Sequence, residues 1–320
     1  MLLHHLTELA PAGRPVCAAI GMFDGVHLGH QHILRDTVAA AREGGGISLV
    51  ITFDRHPAAI VAPSRVPQLL QPLTARLAAL AALQPDALWL IRFDEAFSRK
   101  TGAEFIRELV RDAGPLRRVC VGENFHFGHQ RSGNAVRLRQ WGAEFGFAVE
   151  VAAPVQFEGQ PISSTRIRDT VRRGDFAGAA RLLGRAYELS GIVIRGEQVG
   201  RQLGFPTANL DVPGLVLPPH GVYATRVVVN GRKLPGVTNL GLRPTLRQAQ
   251  PTLHVETHLL DFTGDLYGQE IALRFVARLR DEQHFPSLVE LRAQIGRDVA
   301  AARELLCGTG VAPSDRSATS

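Results

Sequence analysis

The chain has 320 residues, of which 45% are hydrophobic, and its mean hydropathy is close to zero. A chain of this length is expected to form about two domains of an ordinary globular protein, and no apolar run is long enough to cross a bilayer. The net charge is +6, but the basic residues are dispersed and nearly all arginine. A nucleic-acid-binding protein is therefore not indicated.

The cysteines and the first residues indicate the compartment. Cys17, Cys120 and Cys307 are isolated in the sequence, which favours neither a disulfide framework nor a zinc site. The first residues lack the basic segment and the longer apolar stretch of a signal peptide. We therefore expect a cytoplasmic protein with reduced cysteines, and the sequence leaves its oligomeric state open.

A glycine-rich motif at 21–30, Gly-Met-Phe-Asp-Gly-Val-His-Leu-Gly-His, follows a predicted strand at 16–20 and precedes a predicted helix at 31–42. Free N–H groups and the dipole at a helix start favour anions, and glycines let a phosphate approach the backbone. His27 and His30 can project from one face and donate hydrogen bonds to a reacting phosphate. The motif predicts a nucleotide-phosphate site, although either histidine is also compatible with a helix cap or a surface position.

The elements that follow alternate between apolar strands and helical patterns. This alternation predicts a parallel sheet covered on both faces, with ligands bound beyond the carboxyl ends of its strands. Strands are predicted at 48–53, 87–93, 118–122 and 147–151, and helices at 73–83, 103–112 and 134–145.

Three further loops, at 52–57, 121–134 and 161–168, are predicted to reach the same edge of the sheet. In the last of them, Ser163, Ser164 or Thr165 can cap a helix that runs to about residue 173. Arg168 follows Thr165 by three residues, so hydroxyls, helix N–H groups and a guanidinium are predicted to form a triphosphate site. An ordinary polar turn and an ordinary N-cap are the alternatives.

From about residue 187 the pattern changes to short strands separated by glycine and proline turns. Strands at 187–195, 221–229, 234–240, 253–260 and 270–277 predict a small antiparallel barrel. One helix, at 287–306, is predicted to pack on the barrel through the periodic apolar positions Leu288, Leu291, Ile295, Val299 and Leu306. The composition of the remaining tail predicts disorder.

A second set of polar residues lies in the predicted barrel. Thr207 and Asn209 are two apart, so on an extended chain they share a face and offer oxygen ligands suited to Mg²⁺ with phosphates. Ahead of them, the glycines at 196–201 are expected to form a loop that folds over a nucleotide. Glu256 shares a strand face with His254 and His258 and is a candidate base for an alcohol that attacks a phosphoryl group. A solvent-facing glutamate is the alternative.

Together these motifs resemble the prokaryotic bifunctional FAD synthetases, which join a riboflavin kinase to an FMN adenylyltransferase. The resemblance covers about residues 14–306. In the first domain it rests on 21–30, 52–57, 122–134 and 162–168, and in the second on 200–209, 221–223, 239–245, 255–262, 265–268 and 279–285.

The resemblance implies an α/β Rossmann-like nucleotidyltransferase domain at 1–185, a riboflavin-kinase β-barrel domain with a C-terminal helix at 186–306, and a tail at 307–320. It implies that riboflavin and ATP give FMN and ADP in the second domain. It further implies that FMN and ATP give FAD and pyrophosphate in the first. ATP, riboflavin and FMN are then the substrates and Mg²⁺ is the cofactor.

The resemblance also implies roles for single residues. His27, His30 and Arg168 would act in adenylyl transfer, and Glu256 would be the base for the riboflavin 5′-hydroxyl. Thr207 and Asn209 would hold Mg²⁺. The implied nucleotide- and phosphate-binding residues are Gly21, Phe23, Asp24, Gly25, Gly29, Asn124, Ser163, Ser164, Thr165, Gly200, Gly204, Thr207 and Asn209.

Two departures from the pattern of the family involve three positions. Met22 stands where a small polar residue is common, and Asp54-Arg55 replaces a more usual Glu-Pro. Neither change removes a residue with an implied chemical role. There are two alternatives to a chain with two active sites. One is a chain in which a single site is active, and the other is a flavin- or nucleotide-binding regulator without catalysis. A regulator would not need His27, His30, Arg168 and Glu256 together.

Overall fold

The computed structural model describes residues 1–243 and 252–307, so nearly all of the predicted tail at 307–320 lies outside the described residues. The chain forms two compact units. Met1–Asp169 and Arg181–Gly184 make up the first, and Thr170–Ala180 and the chain from Arg185 onward make up the second. Within the described residues, no helix has the length and apolar character needed to span a membrane.

The first unit is built on a six-stranded parallel sheet, which confirms the predicted α/β class. Across the sheet the strands are Leu2–Leu3, Ala87–Ile91, Ile47–Phe53, Val16–Ile20, Leu116–Gly122 and Ala148–Ala152. All but the first agree with the predicted strands to within two residues at each end. The two-residue strand at Leu2–Leu3 carries too little pattern of its own, and it is ordered by pairing with Leu88 and Trp89.

Helices cover the sheet on both faces. Ala18 belongs to one apolar core and Ala19 to a second, because neighbouring residues of a strand point to opposite faces. The α-helices of this part of the chain are Leu28–Glu43, Ala58–Val61, Leu73–Ala81, Glu95–Ser98, Gly102–Asp112, Ala135–Phe145, Ser164–Arg172 and Phe176–Leu183. Short 3₁₀ helices are Leu6–Ala12, Pro63–Arg65 and His129–Arg131.

Two small antiparallel pairs interrupt the connections after the later strands. His126–Phe127 pairs with Gly133–Asn134, and Gln156–Phe157 pairs with Gln160–Pro161. The second pair lies between the last strand of the sheet and the helix Ser164–Arg172.

The second unit contains a closed antiparallel barrel, as predicted. Around the barrel the strands are Glu188–Ile194, Ala208–Asp211, Thr252–Leu259, Arg232–Arg243, Gly221–Val229 and Glu270–Arg280. The four-residue strand Ala208–Asp211 was expected only as an extended stretch. The prediction of a loop at 196–201 is wrong in part, because its last residues belong to a short helix, Val199–Gln202.

The last described helix, Leu288–Cys307, packs on the barrel near its C-terminal end. Ala302 and Leu306 are buried with Val222, Ala224 and other barrel residues, and Val299 is packed against them. The predicted contact of Leu288 is wrong, since this side chain is 61% exposed. The first turn of this helix therefore stands away from the core of the barrel.

Candidate active sites

The loop after the first central strand has a strained backbone. Phe23 and Val26 both have positive φ angles, at 51° and 40°, and Gly25 has one of 82°. Such angles are unfavourable for bulky and β-branched residues. The N–H of Val26 donates to the Phe23 carbonyl at 3.0 Å and closes the turn. Strain of this kind concentrates at functional sites.

His27 is the N-cap of the following helix. Its Nδ1 accepts a hydrogen bond from the His30 N–H at 3.3 Å, so the helix begins at Leu28, three residues before the predicted start. The two imidazole rings stack with their centroids 3.6 Å apart and their planes 19° apart. His27 is therefore a helix cap, and it also places its ring beside that of His30. Gly29 lies between the two histidines.

His30 has a polar atom without a partner. Its Nδ1 is buried, and no described residue forms a hydrogen bond with it. The edge of the Phe23 ring lies against the imidazole, with the centroids 5.3 Å apart, and Phe23 also packs over Gly21. Burial, together with nearby His27, holds the pKa of His30 well below 6.5. The ring is therefore neutral near pH 7.

Asp24 and Arg168 form a buried ion pair in the first unit. Arg168 Nη2 donates to Asp24 Oδ2 at 2.7 Å, and Arg168 Nε donates to the Gln68 carbonyl at 2.6 Å. The Asp24 carboxylate also accepts a hydrogen bond from the Leu70 N–H at 3.0 Å. Burial raises the pKa of Asp24, and the Arg168 guanidinium opposes this rise. The carboxylate thus contacts protein groups and holds the guanidinium near the loop.

The two serines at the start of the helix Ser164–Arg172 have different partners. Ser163 Oγ accepts a hydrogen bond from the Arg166 N–H at 3.2 Å and caps the helix. This contact agrees with the alternative of an ordinary N-cap. Ser164 Oγ donates to the Asp24 carbonyl at 2.9 Å and so joins this helix to the histidine loop. Thr165 is exposed.

The other two predicted loops contribute differently. Thr52 Oγ1 donates to the Met22 carbonyl at 3.3 Å, which ties the loop at 52–57 to the histidine loop. Asn124 is exposed, and its carbonyl lies 3.0 Å from His126 Nδ1. This contact is with its own loop and not with the histidine loop.

Two further polar residues, His56 and Arg76, lie near the histidine loop. Neither was among the site residues predicted from the sequence. Burial, Arg168 and Arg76 lower the pKa of His56, whose Nδ1 accepts the Ala58 N–H at 3.1 Å. The position of His56 in the loop at 52–57 was visible in the sequence. The burial of Arg76, in an otherwise apolar helix, gave no comparable signal.

In the barrel, three polar residues lie side by side on neighbouring strands. Asn209 is paired with Glu256, and Glu256 is paired with Asn239 on its other side. Side chains at paired positions point to the same face with their Cβ atoms about 5 Å apart. The structure thus places Asn209, Glu256 and Asn239 side by side. A polar residue in mid-strand was the signal that could have identified Asn239.

A pocket of about 490 Å³ opens beside this row, a volume within the usual range for small-molecule sites. Residues that line it and bear on its chemistry are Thr207, Asn239, Glu256, Arg280, Phe285 and Asp298. Arg280 donates to Asp298 through Nε at 3.0 Å and through Nη2 at 2.8 Å. This ion pair joins a barrel strand to the C-terminal helix, and no sequence pattern predicts it.

The segment that carries Thr207 is held by its neighbours. The Phe205 N–H donates to the carbonyl of Gly200 at 2.8 Å, and Gly204 has a φ angle of 89° in the turn between them. His258 Nδ1 lies 2.8 Å from the Pro206 carbonyl. Gly200 and Gly204 therefore shape the backbone that precedes Thr207.

Thr207 and Asn209 carry side-chain oxygens of the kind that Mg²⁺ binds together with phosphates. A Cβ at Gly196 would come within 2.4 Å of the Asn209 amide, so the backbone at Gly196 passes close to this side chain. In the described part of the chain, no three His, Cys, Asp or Glu side chains gather as metal ligands. Magnesium is commonly held by few protein oxygens together with phosphates and water, which agrees with this set.

Two family models match the chain. One is described as FAD synthetase and matches residues 10–166, and the other is described as riboflavin kinase and matches residues 183–306. A crystal structure described as a macrolide-efflux protein from Streptococcus pneumoniae has a similar fold. Its TM-score is 0.78 at 27% identity, covering 95% of this chain and 98% of that chain.

Curated relatives match over nearly the whole chain. The bifunctional riboflavin kinase/FMN adenylyltransferase of Pseudomonas fluorescens is 40% identical, and that of Escherichia coli K12 is 37% identical. Each match covers 95% of this chain and 97% of the relative. The chain therefore belongs to the family of bifunctional riboflavin kinase/FMN adenylyltransferases, which phosphorylate riboflavin to FMN and adenylylate FMN to FAD.

Proposed function

We propose that FMN adenylyl transfer takes place at the loop that carries His27 and His30. In this reaction a phosphate oxygen of FMN forms a bond to the α-phosphorus of ATP, and the bond from that phosphorus to pyrophosphate breaks. Negative charge grows on the phosphoryl oxygens and on the departing pyrophosphate. Neutral imidazoles that donate hydrogen bonds to these oxygens stabilise the transition state.

The buried, unpartnered Nδ1 of His30 is the observation that supports this assignment most strongly. A buried polar atom without a hydrogen bond costs about 1–3 kcal/mol, so a ligand that pairs with it recovers this energy. We assign the adjacent N–H groups at the helix start, with Gly21, Gly25 and Gly29, to the phosphates of ATP.

The remaining predicted residues of this site receive distinct roles in the proposal. Arg168, Ser164 and Thr165 bind phosphates of ATP, and Asn124 orients a substrate. Asp24 is assigned a positioning role, because its carboxylate contacts Arg168 and would repel a phosphate.

We also propose that riboflavin is phosphorylated at the row formed by Asn209, Glu256 and Asn239. Glu256 takes the proton of the riboflavin 5′-hydroxyl as its oxygen attacks the γ-phosphorus of ATP and ADP departs. The place of Glu256 between two amides, beside a pocket of about 490 Å³, supports this role. Thr207 and Asn209 would hold Mg²⁺, which offsets the charge of the ATP phosphates when it is bound.

We further propose a boundary between the catalytic domains at residues 185 and 186 and a cytoplasmic location. The matched family ranges end at 166 and begin at 183, which agrees with such a boundary. Cys17 and Cys120 are buried free thiols, and burial raises the pKa of Cys120 to about 11. Unreactive thiols of this kind suit a reducing compartment.

A time course tests the assignment of two reactions to two sites. The purified chain is mixed with riboflavin, ATP and Mg²⁺, and the flavins are separated at intervals. FMN that appears first and is then converted to FAD is expected. Accumulation of FMN alone would contradict the adenylyl-transfer site, whereas unchanged riboflavin with normal conversion of added FMN would contradict the kinase site.

A further inference from the structure

Arg76 lies in the helix Leu73–Ala81, whose other residues are mainly apolar. Its side chain is 1% exposed and is one of the largest fully buried side chains among the described residues. A buried guanidinium loses its hydration, and apolar residues of similar volume can often replace buried ions without loss of stability. Packing of this helix therefore does not explain why an arginine occupies the position.

The contacts of Arg76 join the two loops that follow neighbouring strands. Its Nη2 donates a hydrogen bond to the carbonyl of Phe53, the last residue of one strand. Its Nη1 lies 3.4 Å from Sδ of Met22, at the start of the histidine loop. The Thr52 hydroxyl provides a second link through the Met22 carbonyl. Arg76 thus holds the start of one loop against the start of the other.

Around Arg76 there are more buried guanidinium groups than buried carboxylates to balance their charge. The Nε of Arg76 is buried and has no hydrogen-bond partner in the described part of the chain. Asp24 binds Arg168, while Asp54 binds Arg55. Both carboxylates raise the pKa of Arg76, whereas burial lowers it to a larger extent. One buried carboxylate, Asp24, therefore serves two buried guanidiniums, a balance that favours an anionic ligand nearby.

We propose that Arg76 is a positioning residue for adenylyl transfer. Its charge and its hydrogen bond to Phe53 hold the histidine loop in the geometry that receives the phosphates of ATP. Arg76 acts through Met22 and the Phe53 carbonyl and touches no reacting atom. The inference rests on the proposed function of His27 and His30.

Three single variants of the full chain test this role. Arg76→Met fills the same space without charge, Arg76→Lys keeps the charge, and Arg107→Met is the control at an exposed arginine of the same unit. For each variant, kcat and KM are measured for FAD formation from added FMN. Riboflavin phosphorylation by the same preparation is the internal control, since we assign it to the other unit, and tryptophan fluorescence reports the integrity of the first unit.

We expect Arg76→Met to lower kcat for FAD formation by about tenfold or more while riboflavin phosphorylation stays within about twofold of wild type. Arg76→Lys should recover most of the lost rate, because it restores the charge. Arg107→Met should leave both reactions unchanged. Trp89 and Trp141 are the two tryptophans of the chain and both lie in the first unit, so their fluorescence follows its thermal unfolding.

A wild-type rate of FAD formation in Arg76→Met would overturn the inference, since the side chain would then only fill space. Equal losses in Arg76→Met and Arg76→Lys would also overturn it. If Arg76→Met lost its folded fluorescence signal, Arg76→Lys alone would decide, and a loss of about tenfold in that variant would be the contradicting result. Retained FAD formation in His30→Ala would instead contradict the proposed function itself.

Discussion

Arg168 Nη2 donates a hydrogen bond to Asp24 Oδ2 at 2.7 Å, and these two residues are 144 positions apart in the sequence. Both side chains are almost fully buried. The Asp24 main-chain carbonyl accepts a second bond, from the Ser164 hydroxyl. One residue of the histidine loop therefore holds the helix Ser164–Arg172 through its side chain and its backbone.

Asp24→Asn should impair adenylyl transfer by displacing Arg168. Removal of one partner of a buried ion pair costs about 3–5 kcal/mol, because the other charge is left uncompensated. We expect a smaller free energy of unfolding for the first unit, measured by tryptophan fluorescence in denaturant, and slower FAD formation. The double variant Asp24→Asn/Arg168→Met should regain part of the stability without regaining activity. Recovery of activity in the double variant would contradict the role given to Arg168.

His30→Ala should slow FAD formation by about 10²–10³-fold, the range found when one transition-state donor is removed. Riboflavin phosphorylation should continue, since it belongs to the other unit. His32→Ala is a matched control, because His32 is an exposed histidine in the same helix and forms only a surface ion pair with Asp36. The rates of both reactions are followed by separating the flavins. Equal slowing of both reactions would rule out separate sites.

Glu256→Gln should slow FMN formation by about 10²–10⁴-fold, because a glutamine cannot accept the proton of the riboflavin hydroxyl. The amide keeps the size of the side chain and the neighbours Asn209 and Asn239. Conversion of added FMN to FAD should remain at the wild-type rate. Glu304→Gln, at an exposed helix position, is the control. Normal phosphorylation in Glu256→Gln would exclude Glu256 as the base.

Acidification should destabilise the first unit through His30. The pKa of His30 lies well below 6.5 in the folded chain because of burial, whereas it returns to about 6.5 on unfolding. The unfolded chain then binds the proton more readily, so the free energy of unfolding falls as the pH decreases below about 6.5. His56, whose pKa is also lowered, contributes in the same direction.

Denaturant unfolding between pH 7.5 and pH 5, followed by tryptophan fluorescence, measures this effect. The slope of stability against pH should be smaller in His30→Asn than in the wild-type chain. Identical slopes would show that His30 is protonated equally well in both states.

Asp298→Asn should weaken riboflavin binding by loosening the contact between the C-terminal helix and Arg280. Both residues line the pocket of the second unit and are largely buried. We expect a higher KM for riboflavin, a smaller change in the KM for ATP, and unchanged conversion of added FMN. Asp261→Asn breaks the pair between Asp261 and Arg303, which is exposed and of a kind that adds little to stability, and it should leave both constants unchanged. Equal effects of the two variants would contradict a specific role for Asp298.

Local patterns account for the part of the fold that could be predicted. The run at 16–20 is apolar throughout because its strand is buried on both faces, and glycine and proline turns separate the barrel strands. The extended chain assumed at Asn209 agrees with the strand Ala208–Asp211, whereas Thr207 lies just before that strand. Leu2–Leu3 and Ala208–Asp211 were missed as strands because such short segments are ordered mainly by the strands beside them.

The relationships inside the sites depend on distant parts of the chain and were less accessible. The pairing of Asp24 with Arg168 and the position of Asn239 beside Glu256 require the folded sheet and barrel. Arg76 illustrates the same limit. A helical pattern predicts the face of the helix on which Arg76 lies, but it does not predict the hydrogen bond to the Phe53 carbonyl. The double role of His27, as a cap and as a neighbour of His30, follows only from the observed helix start.

The row of Asn209, Glu256 and Asn239 makes the kinase sensitive to strand alignment. A shift of one residue in a strand reverses the face of every side chain on it, so Glu256 would leave its amide neighbours altogether. In a closed barrel each strand is held by two others, and a shift in one must be matched by its neighbours. Phosphorylation of riboflavin is thus a direct assay for correct barrel assembly, even in variants altered far from the pocket.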